Sequence, residues 1–166
     1  MRPSLGALCA SLVTLVATLA APAPAHARPD VPLGIYLEHL EPLSLTWPAA
    51  GTVTDGFGLR WGRPHLGIDI GILRSPGVRA AAPGTVTATG YLEGYEGYGN
   101  VVIVDVGEGD ETLYAHLAAT TVHVGDWLER HELLGIAGCT GSCTGTHLHF
   151  ELRRDGVPVD PAPLLP

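Results

Sequence analysis

Eight histidines in 166 residues is a high count, and their neighbours matter more than their number. His147-Leu148-His149 opens an apolar-flanked run that continues Phe150-Glu151-Leu152. Alternate residues of a strand share a face, so His147, His149 and Glu151 line one side while Leu148, Phe150 and Leu152 face a core. Two imidazoles spaced this way, with Cα atoms ~7 Å apart, can serve one site: one binds a metal and the other reaches a substrate on it. The plainer reading is two surface histidines on a half-exposed strand.

A second group raises the weight of the first. His65-Leu66-Gly67-Ile68-Asp69 sets a histidine and a carboxylate four residues apart. Pro64 and Gly67 argue against a helix, and in a straight strand the two Cα atoms lie ~13 Å apart. That is too far for both to reach one zinc at ~2.0–2.2 Å. If both are ligands the chain bends between them, and Gly67 permits the bend. Alternatively Asp69 is an ordinary surface or turn residue. The third group is Tyr114-Ala115-His116-Leu117, closing a strand. Alternation predicts Tyr114 and His116 on one face and Leu113, Ala115 and Leu117 nearer the other.

Two histidines and one aspartate make a three-ligand site with an open fourth position for water, the catalytic pattern of zinc. Zinc there lowers the pKa of its water toward ~7 and polarises a carbonyl. The remaining histidines can carry protons and stabilise a tetrahedral intermediate. The helical zinc-protease signature is absent, because His131-Glu132 runs into Leu133, Leu134 and Gly135. The general base is therefore a histidine or the metal hydroxide.

The elements that must hold these groups are short strands. From Trp47 onward, runs of Val, Ile, Thr and Tyr alternate closely with Gly, Pro and Asp. The expected strands are Gly51–Gly56, Gly67–Ile72, Gly84–Tyr91, Val101–Val106, Thr112–His116, Leu133–Ala137 and His147–Arg154. Pro83-Gly84, the stretch 107–110 and Asp155-Gly156 are turn signals. No window sustains a 3.6-residue apolar period outside the N-terminal leader, and 22 glycines and 14 prolines disfavour long helices. The expectation is an all-β, mainly antiparallel domain, a β-sandwich or partly open barrel.

Residues 1–27 read as an export signal: Arg2, an uncharged apolar stretch from Leu5 to Ala20, and Ala25-His26-Ala27 as a cleavage site. The apolar run falls short of the ~20 residues that span a bilayer, so no stable membrane association is expected after cleavage. Cys9 lies inside the apolar region and does not read as a lipoprotein cysteine. Residues 28–46, with Pro29, Pro32 and Pro42, read as a linker or N-terminal strap, and residues 47–166 as one domain. With 9 basic residues, all Arg, against 17 acidic and a net charge of −8, general nucleic-acid binding is excluded. After cleavage Cys139 and Cys143 remain. In an oxidising compartment they read as a local disulfide; a four-ligand zinc site would need a second pair.

At these residues the sequence resembles the LytM/lysostaphin-type zinc endopeptidases, peptidase family M23. The resemblance rests on His65-x-x-x-Asp69, Tyr114-Ala115-His116, Thr140-Gly141, and the run from Thr144 to Glu151. Gly56-Phe57-Gly58, Arg79-Ala80-Ala81-Ala82, Gly97-Tyr98-Gly99-Asn100 and Val159-Asp160-Pro161 add to it. It implies a β-rich duplicated hybrid motif, one Zn2+ held by His65, Asp69 and His149, and catalytic roles for His116 and His147. It also implies a secreted or wall-associated monomer that hydrolyses peptide bonds in peptidoglycan stems or cross-bridges. The chain departs from the family pattern at Cys139 and Cys143, at His131 where a turn glycine is common, and at Val106 where a histidine is common. Some relatives have lost ligands and bind the wall or activate other hydrolases; here all five positions are filled. A third reading, a small disulfide-bonded β domain with incidental histidines, requires the separate His and Asp placements to coincide. In some relatives a preceding segment covers the zinc, a role open here to Asp30, Glu38 or His39.

Overall fold

The computed structural model describes residues 42–60 and 62–166. The expected export signal and residues 28–41, including Asp30, Glu38 and His39, lie outside the described residues. Residues 42–46 lie against the domain: Leu45 is buried in the core, its N–H donates to the Leu164 carbonyl, and Thr46 N–H donates to that of Ala81.

Strands β1 (Thr52–Asp55), β2 (Gly58–Arg60), β3 (Arg63–His65), β4 (Ile68–Gly71), β5 (Gly77–Arg79) and β6 (Gly84–Tyr91) fill the first half. Strands β7 (Asn100–Gly107), β8 (Asp110–Thr120), β9 (Trp127–Leu128), β10 (Leu133–Ala137), β11 (Leu148–Arg154) and β12 (Val157–Val159) follow. A single 3-10 turn, Ala162–Leu164, follows β12. Every pairing is antiparallel. The main sheet runs β1-β4-β11-β8-β7-β6-β9, with β10 joining β8 to β5 and β12 on β11; β2 and β3 form a separate hairpin. The all-β expectation holds. Each of the seven expected strands is present, and the others, β2, β3, β5, β9 and β12, have three residues or fewer.

The alternation read from the sequence is what fixes β4 and β11. Leu148, Phe150 and Leu152 on β11 and Ile68 and Ile70 on β4 are all at most 1% exposed and share one core with Tyr114 and Leu117. Burying each such side chain contributes about 1.5–3 kcal/mol, and a one-residue slip would turn all of them outward. That penalty holds Asp69, His149 and Glu151 on the opposite face. Their side carries a smaller core of Val101, Ile103, Leu113 and Ala115, against which Tyr95 and Tyr98 pack.

The bend between His65 and Asp69 is real, since β3 ends at His65 and β4 begins at Ile68 in a different sheet. Gly67 is needed there for closeness: a Cβ at this position would sit 2.2 Å from the Phe150 carbonyl oxygen. Two tight hairpins follow the turn signals. Glu108 and Gly109 (φ +53° and +79°) join β7 to β8, and Asp155 and Gly156 (φ +49° and +76°) join β11 to β12. Positive φ at both central residues is the hairpin geometry that matches strand twist.

The expectation for β8 requires correction. Tyr114 and Leu117 share the main core, while Leu113 and Ala115 belong to the smaller one, so Tyr114 and His116 do not follow simple alternation. Against β7, Asn100 pairs with Leu117 and Val102 with Tyr114, which sets three steps on β8 against two on β7. The extra residue is a β-bulge, and His116 occupies it at φ +60°. Bulges re-aim side chains beside functional sites, and this one releases His116 from the Tyr114 face.

Candidate metal centre and active site

Three elements converge on one point. His65 ends the β2–β3 hairpin, Asp69 is central in β4, and His149 pairs directly with Asp69 across β4–β11. The ligand atoms of these three residues all lie within 4.8 Å of one another. His65 Nε2 is 3.1 Å from Asp69 Oδ1 and 3.1 Å from His149 Nδ1, and His149 Nδ1 is 2.8 Å from Asp69 Oδ1. All three residues are buried, at 8%, 8% and 6% exposure.

The proton assignments follow from the partners. His65 Nδ1–H donates to the Gly56 carbonyl at 2.7 Å, because a carbonyl can only accept. His149 Nε2–H donates to Glu151 Oε1 at 3.0 Å. Glu151 also accepts from the Tyr98 hydroxyl at 2.6 Å and from Arg153 Nε at 2.8 Å. Burial alone would raise the Glu151 pKa; hydrogen bonds from His149 and Tyr98 and the charge of Arg153 reverse it and keep the carboxylate ionised. His65 Nε2 and His149 Nδ1 are then left with lone pairs facing each other and a carboxylate oxygen. Burial opposes charge on Asp69 as well, yet when His149 Nδ1 takes up a proton, its hydrogen bond and charge, with the charges of His65 and His147, hold Asp69 far below the usual range. Burial also opposes charge on His149, and its bonds to Asp69 and Glu151 outweigh that and raise its pKa. The pocket therefore attracts a proton or a cation. Two imidazole nitrogens and one carboxylate oxygen with an open side fit zinc in its catalytic pattern. The carboxylate behind His149 is the usual partner that fixes a metal-binding tautomer.

Two further histidines stand beside this cluster. The ring centroids of His116 and His147 are 4.7 Å apart, and those of His116 and His149 are 5.9 Å apart. His116 Nδ1–H donates to the Thr140 carbonyl at 2.8 Å, and His147 Nδ1–H donates to that of Gly145 at 2.7 Å. Each ring keeps Nε2 free, and His147 Nε2 lies 3.7 Å from Asp69 Oδ1. Burial pushes the His116 pKa down, against the opposing pull of its bond to Thr140. His147 sits just before β11, in an isolated bridge to Gly138, one residue short of the strand expected from the sequence. The structure thus brings His65, Asp69, His116, His147 and His149 into one open cleft of about 280 Å³. A larger surface groove, about 550 Å³, lies beside Trp47, Arg74 and Arg79 and holds none of the five. The cleft with the histidines is the candidate site.

Several participants have no signature of their own in the sequence. Arg60 Nη1 reaches Asp69 Oδ2 at 3.2 Å and also pairs with Asp55, which braces the carboxylate from outside. Tyr98 bonds Glu151, and its carbonyl accepts the His116 N–H at 2.9 Å. Asn100 N–H donates to Thr140 Oγ1, and Asn100 Nδ2 to the Leu117 carbonyl. The stretch Gly97-Tyr98-Gly99-Asn100 signalled Tyr98 and Asn100, and Gly56-Phe57-Gly58 the Gly56 carbonyl, only as pieces of a family pattern, and Arg60 lay in neither. The geometry of the two stretches supplies the reason: both brace the histidines. Cys139 and Cys143 form a disulfide.

Comparison with known proteins agrees with the geometry. The profile described as peptidase family M23 matches residues 63–161. DD-carboxypeptidase/endopeptidase Mpg of Neisseria meningitidis is 39% identical over 130 residues, covering 74% of this chain and 28% of that protein. Murein hydrolase activator EnvC of Escherichia coli is 34% identical over 125 residues, covering 72% and 28%. The chain thus spans well under half the length of these relatives. Among solved structures, a zinc-containing peptidase from Vibrio cholerae superposes with a TM-score of 0.61 at 29% identity, over 70% of this chain and 37% of that one. The catalytic domain of lysostaphin from Staphylococcus simulans gives 0.57 at 28% identity, over 68% and 88%. With the profile matched over most of the described domain and the His-Asp-His cluster intact, the chain belongs to peptidase family M23.

Proposed function

We propose that the protein is an exported zinc metalloendopeptidase that hydrolyses peptide bonds in peptidoglycan stems or cross-bridges. One observation carries the reading. All four histidines of the cleft have one ring nitrogen tied to an acceptor, and the free nitrogens of His65 and His149 meet the Asp69 carboxylate.

His65, Asp69 and His149 would hold the zinc, and the chemistry it would supply there is Lewis acidity toward a carbonyl oxygen and a water. The protein's own groups do the rest. His147 and His116, each with Nδ1 tied to a carbonyl and Nε2 facing the cleft, can take the proton from the attacking water and return one to the departing amine. Once protonated, either imidazolium stabilises negative charge growing on the carbonyl oxygen. Glu151 and Arg60 hold His149 and Asp69 in register from behind. As a member of this family the protein belongs to the cell envelope, and we place it outside the membrane as a monomer.

The test is incubation of residues 28–166 with purified peptidoglycan, with and without a zinc chelator, reading released fragments by mass spectrometry. Chelator-sensitive new peptide ends establish the enzyme and name its bond. No release from any wall chemistry, by protein shown to hold zinc, favours the second reading. That reading is a module that binds the wall or activates another hydrolase, and the similarity to EnvC motivates it.

A further inference from the structure

The carbonyls that set the tautomers of His116 and His147 both lie on the segment joining β10 to β11. This segment is closed at its base by the Gly138–His147 bridge and cross-linked inside by Cys139–Cys143. Its two halves are held very differently.

The first half is clamped without the disulfide. Thr140 Oγ1 donates to the Leu117 carbonyl at 2.9 Å and accepts from Asn100 N–H at 3.0 Å. Gly141 packs so closely on residues 97–99 that a Cβ there would lie 2.4 Å from Gly99 N, and Ser142 N–H donates to the Gly97 carbonyl at 2.8 Å. The Thr140 carbonyl, which accepts from His116, is fixed by these contacts.

The second half has no such support. Thr144, Gly145 and Thr146 are exposed, and among the described residues no backbone–backbone hydrogen bond holds any of them. Yet the Gly145 carbonyl is the acceptor that orients His147. Cys143, at the start of this stretch, is tied to the clamped half by the disulfide and by a long hydrogen bond from its N–H to the Gly141 carbonyl at 3.2 Å. The stretch 144–146 thus hangs between Cys143 and the His147 bridge.

We propose that the Cys139–Cys143 disulfide is a positioning element for His147: it holds the Gly145 carbonyl in place, and with it the His147 tautomer and ring orientation. His116 and the metal ligands do not depend on it. Cys139 is exposed and Cys143 half-buried, so a small dithiol can reach the bond. Reduction breaks the S–S bond with two electrons and two protons from the dithiol, which is itself oxidised to a disulfide. The kinetic consequence rests on the proposed peptidase activity; the structural one does not.

The experiment uses the zinc-loaded protein in three forms: oxidised, reduced with dithiothreitol at a concentration that leaves zinc bound, and the Cys139→Ser/Cys143→Ser variant. Zinc content, imidazole 15N chemical shifts and peptidoglycan cleavage are measured on each. The expected result is full zinc occupancy throughout. The His147 15N pair should move from one fixed tautomer toward an exchange average, while His116 and His149 stay unchanged. Turnover should fall about tenfold or more through kcat rather than KM, and reoxidation of the reduced protein should restore it. An unchanged His147 signal in both reduced protein and variant overturns the proposal. So does a change shared by all four histidines, which would mean general loosening. If the oxidised protein cleaves no wall, the peptidase reading fails on its own and the His147 signal still decides this one.

Discussion

His65 Nε2 and His149 Nδ1 lie 3.1 Å apart, although each ring already donates its other N–H to an acceptor. Two lone pairs beside a carboxylate, on three residues at most 8% exposed, repel one another unless something positive sits among them. A bound cation therefore stabilises the fold as well as serving chemistry.

Zinc should accordingly raise the thermal midpoint and a chelator lower it. At free zinc a hundredfold above its Kd the gain is about 2.7 kcal/mol. His149→Ala should abolish both this shift and hydrolysis, whereas His147→Ala should keep the shift and lose hydrolysis. Melting curves with and without zinc decide the matter. A full zinc shift in His149→Ala would remove it from the ligand set.

Glu151 is fully buried beneath His149 and holds three donors. Glu151→Gln presents an amide that can also donate, so the His149 tautomer is no longer enforced. Zinc affinity should weaken about 10–100-fold, measured by competition against a chromophoric chelator. An unchanged affinity would mean that the β4 and β11 backbones alone orient the ligand.

The placement of the candidate ligands on β4 and β11 was legible because apolar alternation is itself the positioning force. Once Leu148, Phe150 and Leu152 are assigned inward, His149 and Glu151 have only one face left. His116 was legible as a candidate and not in its aim, because a bulge is decided by pairing with β7, which alternation within β8 cannot show. The acceptors Gly56, Thr140 and Gly145 were hidden for a simpler reason. A backbone carbonyl is the same in every residue, so its role exists only in the folded chain. Strands of two or three residues, such as β9 and β12, are too short to display a period.

The bulge yields its own prediction. His116→Ala should leave zinc content unchanged and lower kcat about 10²–10⁴-fold, the usual worth of a positioned proton carrier. His116→Val should in addition cost stability, because a β-branched residue tolerates φ +60° poorly. Zinc analysis, steady-state kinetics and urea unfolding of the two variants separate the effects. Equal kcat in wild type and His116→Ala would take His116 out of the reaction.

Tyr114 gives a pH dependence far from the metal. Its hydroxyl lies in the core, accepting from Ala81 N–H at 2.8 Å, and burial pushes its pKa from 10.0 up to about 12. A folded-state pKa above the unfolded one means its contribution is intact below pH ~10 and is lost as pH rises toward 12. The loss is of order 2–3 kcal/mol. Tyr98 is raised as well, by burial and by its bond to Glu151, so the test is a difference. Urea midpoints of wild type and Tyr114→Phe should converge between pH 9 and 11.5. A gap that stays constant across that range would show that Tyr114 does not titrate differently in the two states.

His131 is a residue in a conformation better suited to another. It sits at φ +68°, with its N–H donating to the Ala80 carbonyl and its own carbonyl accepting from Arg79. The left-handed region costs an L-residue about 1–2 kcal/mol, and glycine escapes that cost while losing about 0.5–1 kcal/mol of chain entropy. His131→Gly keeps both backbone bonds and should gain about 0.5–1 kcal/mol, a rise of a few degrees in the thermal midpoint. His131→Val should move the other way. Because His131 does not line the cleft, neither change should alter zinc binding or kcat. Calorimetry on the two variants reads the sign directly. A less stable His131→Gly would mean that the imidazole makes contacts worth more than the backbone strain it brings.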